Sequence, residues 1–213
     1  MNIHHIPFSP AAFAYHFFES KETFVHPTAV VDDSVILEVG VKVGPFCVLT
    51  GKVLIGSNTR PHAHVMIGFP AQAVGIRHPL GSVIIGENCD LREFVTVHAS
   101  KHQDGITHIG NNCLIMNYAH VSHDVYIEDY VVLVNNVQLG GHSHIGHHAV
   151  LMASAATHQF TKVGAYTALA PFSGARQDLP PFCLLSGKPA GFAGLNLIGL
   201  RRAKIPAHSI KHV

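Results

Sequence analysis

The chain is poor in charge: 13% of its 213 residues are charged, and 14 basic against 13 acidic side chains leave a formal net charge of +1. So even a balance supplies no field to draw the protein to nucleic acid or to an anionic membrane. No uninterrupted apolar run reaches 18 residues, so nothing reads as a bilayer-spanning helix. The first residues, MNIHHIPFSP, lack the basic start and long apolar stretch of a secretory signal. Cys47, Cys89, Cys113 and Cys183 include no C-x-x-C pair, which argues against zinc-motif and redox readings. These absences make the cytoplasm the expected compartment. What is present is 47% hydrophobic residues, too apolar for disorder. The length suits one domain, or one domain with an appendage. One residue type is in excess, with 19 histidines.

The chain has an internal period of six. From Val25, every sixth residue is usually aliphatic: Val31, Leu37, Val43, Leu49 and Ile55, then Ile67 after the exception Pro61. The register resumes at Ile85, Leu91 and Val97, and again from Ile109 through Leu169. The fifth position of each hexad is small, as at Cys47, Val95, Cys113, Ala119, Ser143 and Ala155. Glycine recurs at the second position, for example Gly44, Gly56, Gly140 and Gly164. Such a period signals a solenoid. Positions one and five point inward, and a glycine at position two is expected to turn the corner with positive φ. Three hexads close a triangular coil of 18 residues, and coils stack at about 4.8 Å, the strand spacing. The predicted fold is therefore an all-β parallel β-helix, with the cysteines of position five as core fillers. The period does not fix its handedness.

Insertions interrupt the register near 69–82 and 99–108, and solenoid insertions usually project on one, often functional, face. The expected organisation is an N-terminal extension over 1–23, the β-helix over 24–186 and a tail over 187–213. Ser9-Pro10 ahead of AAFAYHFFES predicts a short capped helix. The tail loses the period, carries Lys188, Arg201, Arg202, Lys204 and Lys211, and ends in IPAHSIKHV, which could begin a helix.

An 18-residue coil lets stacking be read by subtraction. His123 falls over Gly141 and Gln159, Asp124 over His142 and Phe160, and His120 over Gln138 and Ala156. A histidine above a glycine has free space and a nearby backbone N–H. Acyl transfer needs both: a general base beside a nucleophilic hydroxyl, and a donor for the developing oxyanion. Asp124 would fix the tautomer of the base. A metal reading competes, since His142 and His147 are five apart and His108 lies 34 before His142, spacing loosely like that of zinc carbonic anhydrases on such coils. Because His108 falls at an insertion, no metal is expected. His4, His5, His26, His208 and His212 read as ordinary surface histidines.

The segments NYAHVSHDV (Asn117–Val125), LGGH (Leu139–His142), THQF (Thr157–Phe160) and SGARQDLPPF (Ser173–Phe182) resemble the UDP-N-acetylglucosamine 3-O-acyltransferases of lipid A synthesis. FVHPTAVV (Phe24–Val31), VGPFCV (Val43–Val48) and REFVTVH (Arg92–His98) add to the resemblance, which runs to about Arg202. It implies a left-handed coil and a homotrimer with each site between two subunits. It also implies that acyl carrier protein is the acyl donor, a UDP-sugar the acceptor, and that no cofactor takes part. His123 would be the base, Asp124 its support and Gly141 the oxyanion donor. His98, His120, His142, His158, Gln159 and Gln72 would line the site, and Asn196 and Arg202 would contact nucleotide or carrier.

The sequence also departs from that family. Ala73 and Gly75 stand where an aspartate and a lysine hold the amino sugar, and Ile198 replaces a glutamate. Pro171 replaces a glycine at the end of the acyl groove, the C-terminal helical domain is truncated, and about 17 residues are added at the N-terminus. Arg77, further along the first insertion, could replace the lost lysine against a diphosphate. The expectation is acyl transfer from carrier protein to UDP-N-acetylglucosamine or a related UDP-sugar. Two alternatives are a CoA-dependent acetyltransferase on another amino sugar and a trimeric homologue without catalysis.

Overall fold

A two-residue strand makes no ladder until another coil lies against it, so hexads are stable only as a stack. The computed structural model, which describes residues 14–206 and 208, contains that stack. Short strands, most of two residues, line up in three long sheets around one core. Sheet I holds His120–Val121, sheet II Tyr126–Ile127 and sheet III Val132–Leu133, so one coil visits each in turn. Pairing is parallel in regular register: His120 lies beside Gln138, and Gln138 beside Ala156. Inward-facing Ile55, Ile85, Leu91, Ile115, Leu133 and Ile145 are fully buried. Burying each such side chain contributes about 1.5–3 kcal/mol.

Polar residues at the small inward position are satisfied within the wall. Thr59 Oγ1 donates to the Gly86 carbonyl at 2.7 Å, and Ser143 Oγ to that of Gly140 at 2.6 Å. All four cysteines are buried and unpaired. Burial pushes the Cys47 thiol up to about 11, as suits a core filler.

Register shows where the insertions leave. Asp90 pairs with Arg60, thirty positions back, and with Leu114, twenty-four ahead, instead of eighteen. Both insertions run from sheet I to sheet II, between Phe69 and Ser82 and between His98 and Ile106. They therefore emerge from the same corner, which further along carries His123, Gly141 and Gln159.

The corner glycines act differently from expectation. Positive φ falls at the fourth position, at residues such as Asn58, Phe94, Asp124, His142 and Tyr166, while Gly68 is an exception at position two. The other position-two glycines are needed for close approach. A Cβ on Gly140 would meet the Gln159 nitrogen at 2.7 Å, and one on Gly164 the Pro181 nitrogen at 2.4 Å. The fourth-position side chains stack from coil to coil. Phe46, His64, Phe94 and Tyr118 have ring centroids 5.0, 4.8 and 4.9 Å apart. His148 sits between Tyr130 and Tyr166 in a second ladder. Part of the histidine excess is thus structural.

The ends differ more. The described N-terminal segment is one π-helical turn, Tyr15–Glu19, following Ala14, and the proposed Ser9 cap lies outside the described residues. His26 is buried and bonded to Thr28 Oγ1 at 2.9 Å, not a surface histidine. His208 is exposed, while His4, His5 and His212 lie outside the described residues. In the tail, Gly191–Leu195 doubles back as a strand antiparallel to Cys183–Ser186, which the period could not announce, before a helix over Leu197–Arg202. Most of IPAHSIKHV lies outside the described residues. Among the described residues no helix is long and apolar enough to cross a membrane.

Candidate active site

The corner between sheets I and II brings His123, Asp124, Gly141 and His142 together. His123 Nδ1 is 2.8 Å from Asp124 Oδ2, and the residue is only 3% exposed. Its other nitrogen, Nε2, has no hydrogen-bond partner among the described residues. The ring rests on Gly141, where a Cβ would come within 2.6 Å of His123 Cε1 and 2.8 Å of Nε2. Only glycine admits the ring here. Some third-position amides elsewhere in the stack are taken by side chains, as when Glu87 N donates to Asn111 Oδ1 and His147 N to Glu128 Oε2. The Gly141 amide has no such acceptor among the described residues and remains a free donor beside the ring.

Asp124 is held from several sides. Its Oδ1 accepts from the Ser100 hydroxyl in a very short contact, and the Lys101 amide lies 3.3 Å from Oδ2. The Asp124 amide donates to Thr107 Oγ1 at 2.8 Å. Burial raises the carboxyl's pKa, but the Ser100 hydroxyl, the His123 ring and the Lys101 amide outweigh it and hold it below the ordinary range. A carboxylate fixed against Nδ1 keeps that nitrogen protonated and leaves Nε2 as the basic position.

Two more predicted histidines flank this pair. His120 Nδ1 lies 2.8 Å from Thr96 Oγ1, and His98 Nδ1 lies 2.6 Å from the Pro70 carbonyl of the first insertion. Their rings meet edge to face at 5.1 Å. Burial lowers both pKa values, that of His120 to about 4, so both are neutral at physiological pH. His142 stacks on Phe160 with centroids 4.5 Å apart and meets His123 at 5.3 Å.

The remaining predicted residues are more distant in kind. His158 and Gln159 lie one coil further along the same corner, both exposed, joined by a 3.3 Å contact from His158 Nδ1 to the Gln159 carbonyl. Gln72 and Arg77 are exposed on the first insertion. Gly75 there has φ +85°, a conformation that disfavours any side chain. Pro171 is exposed at a different corner, between sheets III and I. It borders an outer strip of sheet I that narrows from His120 and Gln138 to Ala156 and Gly174. Asn196 caps the last helix, accepting from Gly199 N at 3.0 Å while donating to the Tyr166 carbonyl at 2.8 Å. With Arg202, Ile198, Met152 and Leu184 it lines a cavity of about 450 Å³. His108 and His147 do not join His142: His108 reaches the Ile127 carbonyl, and His147 pairs with Glu128.

Ser100, Lys101, Thr96 and Thr107 escaped the sequence reading. The signal for Ser100 was present, since it precedes Asp124 by the same 24 positions that separate Thr96 from its partner His120.

Comparisons with known proteins find relatives over most of the chain. The bacterial transferase hexapeptide family matches residues 106–141, and domain 2 of UDP-N-acetylglucosamine O-acyltransferase matches residues 178–213. The chain is 39% identical to an acyl-[acyl-carrier-protein]–UDP-N-acetylglucosamine O-acyltransferase from Campylobacter concisus, over 84% of this chain and 67% of that protein. It is 39% identical to the one from Brucella ovis, over 90% of this chain and 77% of that protein. Among solved structures, the UDP-N-acetylglucosamine acyltransferase of Francisella novicida superposes with a TM-score of 0.78 at 31% identity, covering 88% of this chain and 76% of that one.

Proposed function

Because this chain belongs to the acyl-[acyl-carrier-protein]–UDP-N-acetylglucosamine O-acyltransferase family, with its left-handed parallel β-helix, we propose that it moves a fatty acyl group from acyl carrier protein to the 3-hydroxyl of UDP-N-acetylglucosamine or a close relative, early in lipid A synthesis. The observation that carries this reading is the His123 imidazole, fixed by Asp124 at Nδ1 and seated on Gly141 with Nε2 free. His123 Nε2 takes the proton of the sugar hydroxyl as its oxygen attacks the thioester carbon. The carbonyl oxygen gains negative charge and accepts from the Gly141 amide. The tetrahedral intermediate then collapses, the C–S bond breaks, and the proton on His123 passes to the departing carrier thiol. Asp124 stabilises the transient imidazolium without taking its proton.

Neutral His98 and His120 line the approach to the base, with His142, His158 and Gln159 on the carrier side. The strip from His120 to Gly174 gives an acyl chain a smooth floor that ends near Pro171. The first insertion, with Gln72 and Arg77, covers the sugar nucleotide. Gly75 and Ala73 offer it no charge, so Arg77 answers the diphosphate. The tail cavity with Asn196 and Arg202 receives the nucleoside or carrier arm, and Ile198 makes that cavity less polar. An open corner is completed when a second copy covers it, so the working form is a homotrimer of about 69 kDa, three chains of 23.0 kDa. Acyl carrier protein as donor is consistent with action in the cytoplasm.

The test is transfer from a series of acyl-carrier-protein thioesters to a panel of UDP-sugars, comparing wild type with His123→Ala. The variant should keep its circular dichroism spectrum and lose about 10²–10⁴ in rate, the usual worth of a general base. A folded variant with wild-type turnover removes His123 from the mechanism.

A further inference from the structure

His102, Asp124 and His142 present ligand atoms that all lie within 4.8 Å of one another. Two imidazoles and a carboxylate, with a water in the fourth position, form an ordinary tetrahedral zinc donor set. His142 Nε2 is buried, lacks a hydrogen-bond partner and stands 3.7 Å from Asp124 Oδ2. That gap is too long for a hydrogen bond. It is close to the roughly 3.3 Å between two ligand atoms about 2.0–2.1 Å from a shared tetrahedral ion. A buried polar nitrogen without a partner is costly, and a bound cation would satisfy it. His102 comes from the second insertion, is exposed, and its ring centroid lies 6.0 Å from that of His142, so it closes the site from the solvent side. The Ser100 hydroxyl and Lys101 amide already orient the carboxylate, as outer-shell partners of metal ligands do.

We propose that His102, Asp124 and His142 form a binding site for a zinc-class divalent ion on the outer side of the His123–Asp124 pair. The ion takes Asp124 Oδ2, the oxygen that accepts from His123 Nδ1. Occupancy therefore withdraws the charge that fixes His123, and zinc acts as a reversible inhibitor. Binding depends on the three ligands alone. The inhibition rests also on the acyl-transfer reading above.

The test titrates full-length protein with zinc chloride, by calorimetry and by competition with a chromophoric chelator. Wild type, His102→Ala and His147→Ala are compared. His147 belongs to the separate Glu128 cluster and controls for the histidine-rich surface. One equivalent per chain is expected for wild type and His147→Ala, and at least tenfold weaker binding for His102→Ala. Anomalous diffraction at the zinc edge should place the ion between the three side chains. His102→Ala should retain wild-type transfer without zinc and resist zinc inhibition. Equal zinc affinity in His102→Ala, or no stoichiometric binding by wild type, overturns the site. Stoichiometric binding without inhibition leaves the site standing and overturns the inhibitory coupling through Asp124.

Discussion

The imidazole of His123 occupies the space that a side chain at Gly141 would fill, 2.6 Å from the position of an ideal Cβ. One coil thereby supplies the proposed base, and the next supplies both the vacancy for its ring and a free amide beside it. The pairing makes Gly141→Ala a sensitive test. Alanine occupies the same hexad position at Ala63, Ala153 and Ala165, so the coil should still close. The added methyl must displace the ring from the Asp124 carboxylate and the amide. Transfer should fall by about 10²–10³, the range for a lost oxyanion donor, with thermal stability nearly unchanged. Steady-state rates at wild-type level would contradict the proposed geometry.

Ser100 is fully buried and touches the substrate nowhere in this scheme, so it is a positioning residue for Asp124. Ser100→Ala removes one hydrogen-bond donor to a charged carboxylate, worth roughly 1.5–3 kcal/mol. The expected kinetic signature is a kcat about tenfold or more lower, with KM for both substrates unchanged. A purely structural role would instead lower the melting temperature and leave the kcat of the folded fraction intact.

Burial keeps His120 neutral down to about pH 4, whereas in the unfolded chain it titrates near 6.5. Between those values the unfolded state binds a proton that the folded state refuses, so stability falls as pH falls. The slope from this one group is at most about 1.4 kcal/mol per pH unit. Above pH 6.5 the group contributes no pH dependence. Urea midpoints from pH 7.5 to 4.5 should drop more steeply for wild type than for His120→Gln. Parallel curves would show that another group controls acid sensitivity.

Pro171 stands at the sheet III–I corner, at the end of the strip that narrows toward Gly174. Proline has more bulk than glycine and a fixed φ, so the strip should end sooner than it would with glycine there. Pro171→Gly is expected to shift preference toward longer acyl chains in competition assays with mixed carrier thioesters. An unchanged profile would mean that the acyl chain ends elsewhere.

Arg77 is exposed on a loop whose Gly75, at φ +85°, could carry a lysine only under strain. Arg77→Ala should raise KM for the sugar nucleotide several-fold and leave that for the carrier thioester unchanged. If both constants match wild type, the loop does not read the diphosphate, and another acceptor class becomes the better candidate.

The coil was legible because its inward positions are chemically narrow and repeat every six residues. Ile115, Leu133 and Leu151 mark one edge of a hexad as plainly as Cys113, Ala149 and Ala155 mark the other. Subtraction by 18 then placed His123 over Gly141. It failed where register is not 18, so Ser100 and Lys101, which fix Asp124 from an insertion, were invisible to it. The role of the corner glycines was misjudged because composition does not distinguish positive φ from close approach. Gly140 and Gly164 serve the second, and residues as unlike as Asn136, Asp124 and Phe160 accept the first. The tail strand Gly191–Leu195 pairs antiparallel and carries no hexad to announce it.

Both insertions leave and rejoin the coil at one corner, and the flanking rungs still pair in parallel, with a single register shift between Val97 and His98 opposite Ile67 and Phe69. Lengthening such a loop costs only closure entropy, about 0.6 kcal/mol per doubling. The scaffold and its inserted segments can therefore diverge at different rates. Cutting at Phe69 and Ser82 and transplanting a relative's loop should change what the enzyme accepts without asking the core to repack.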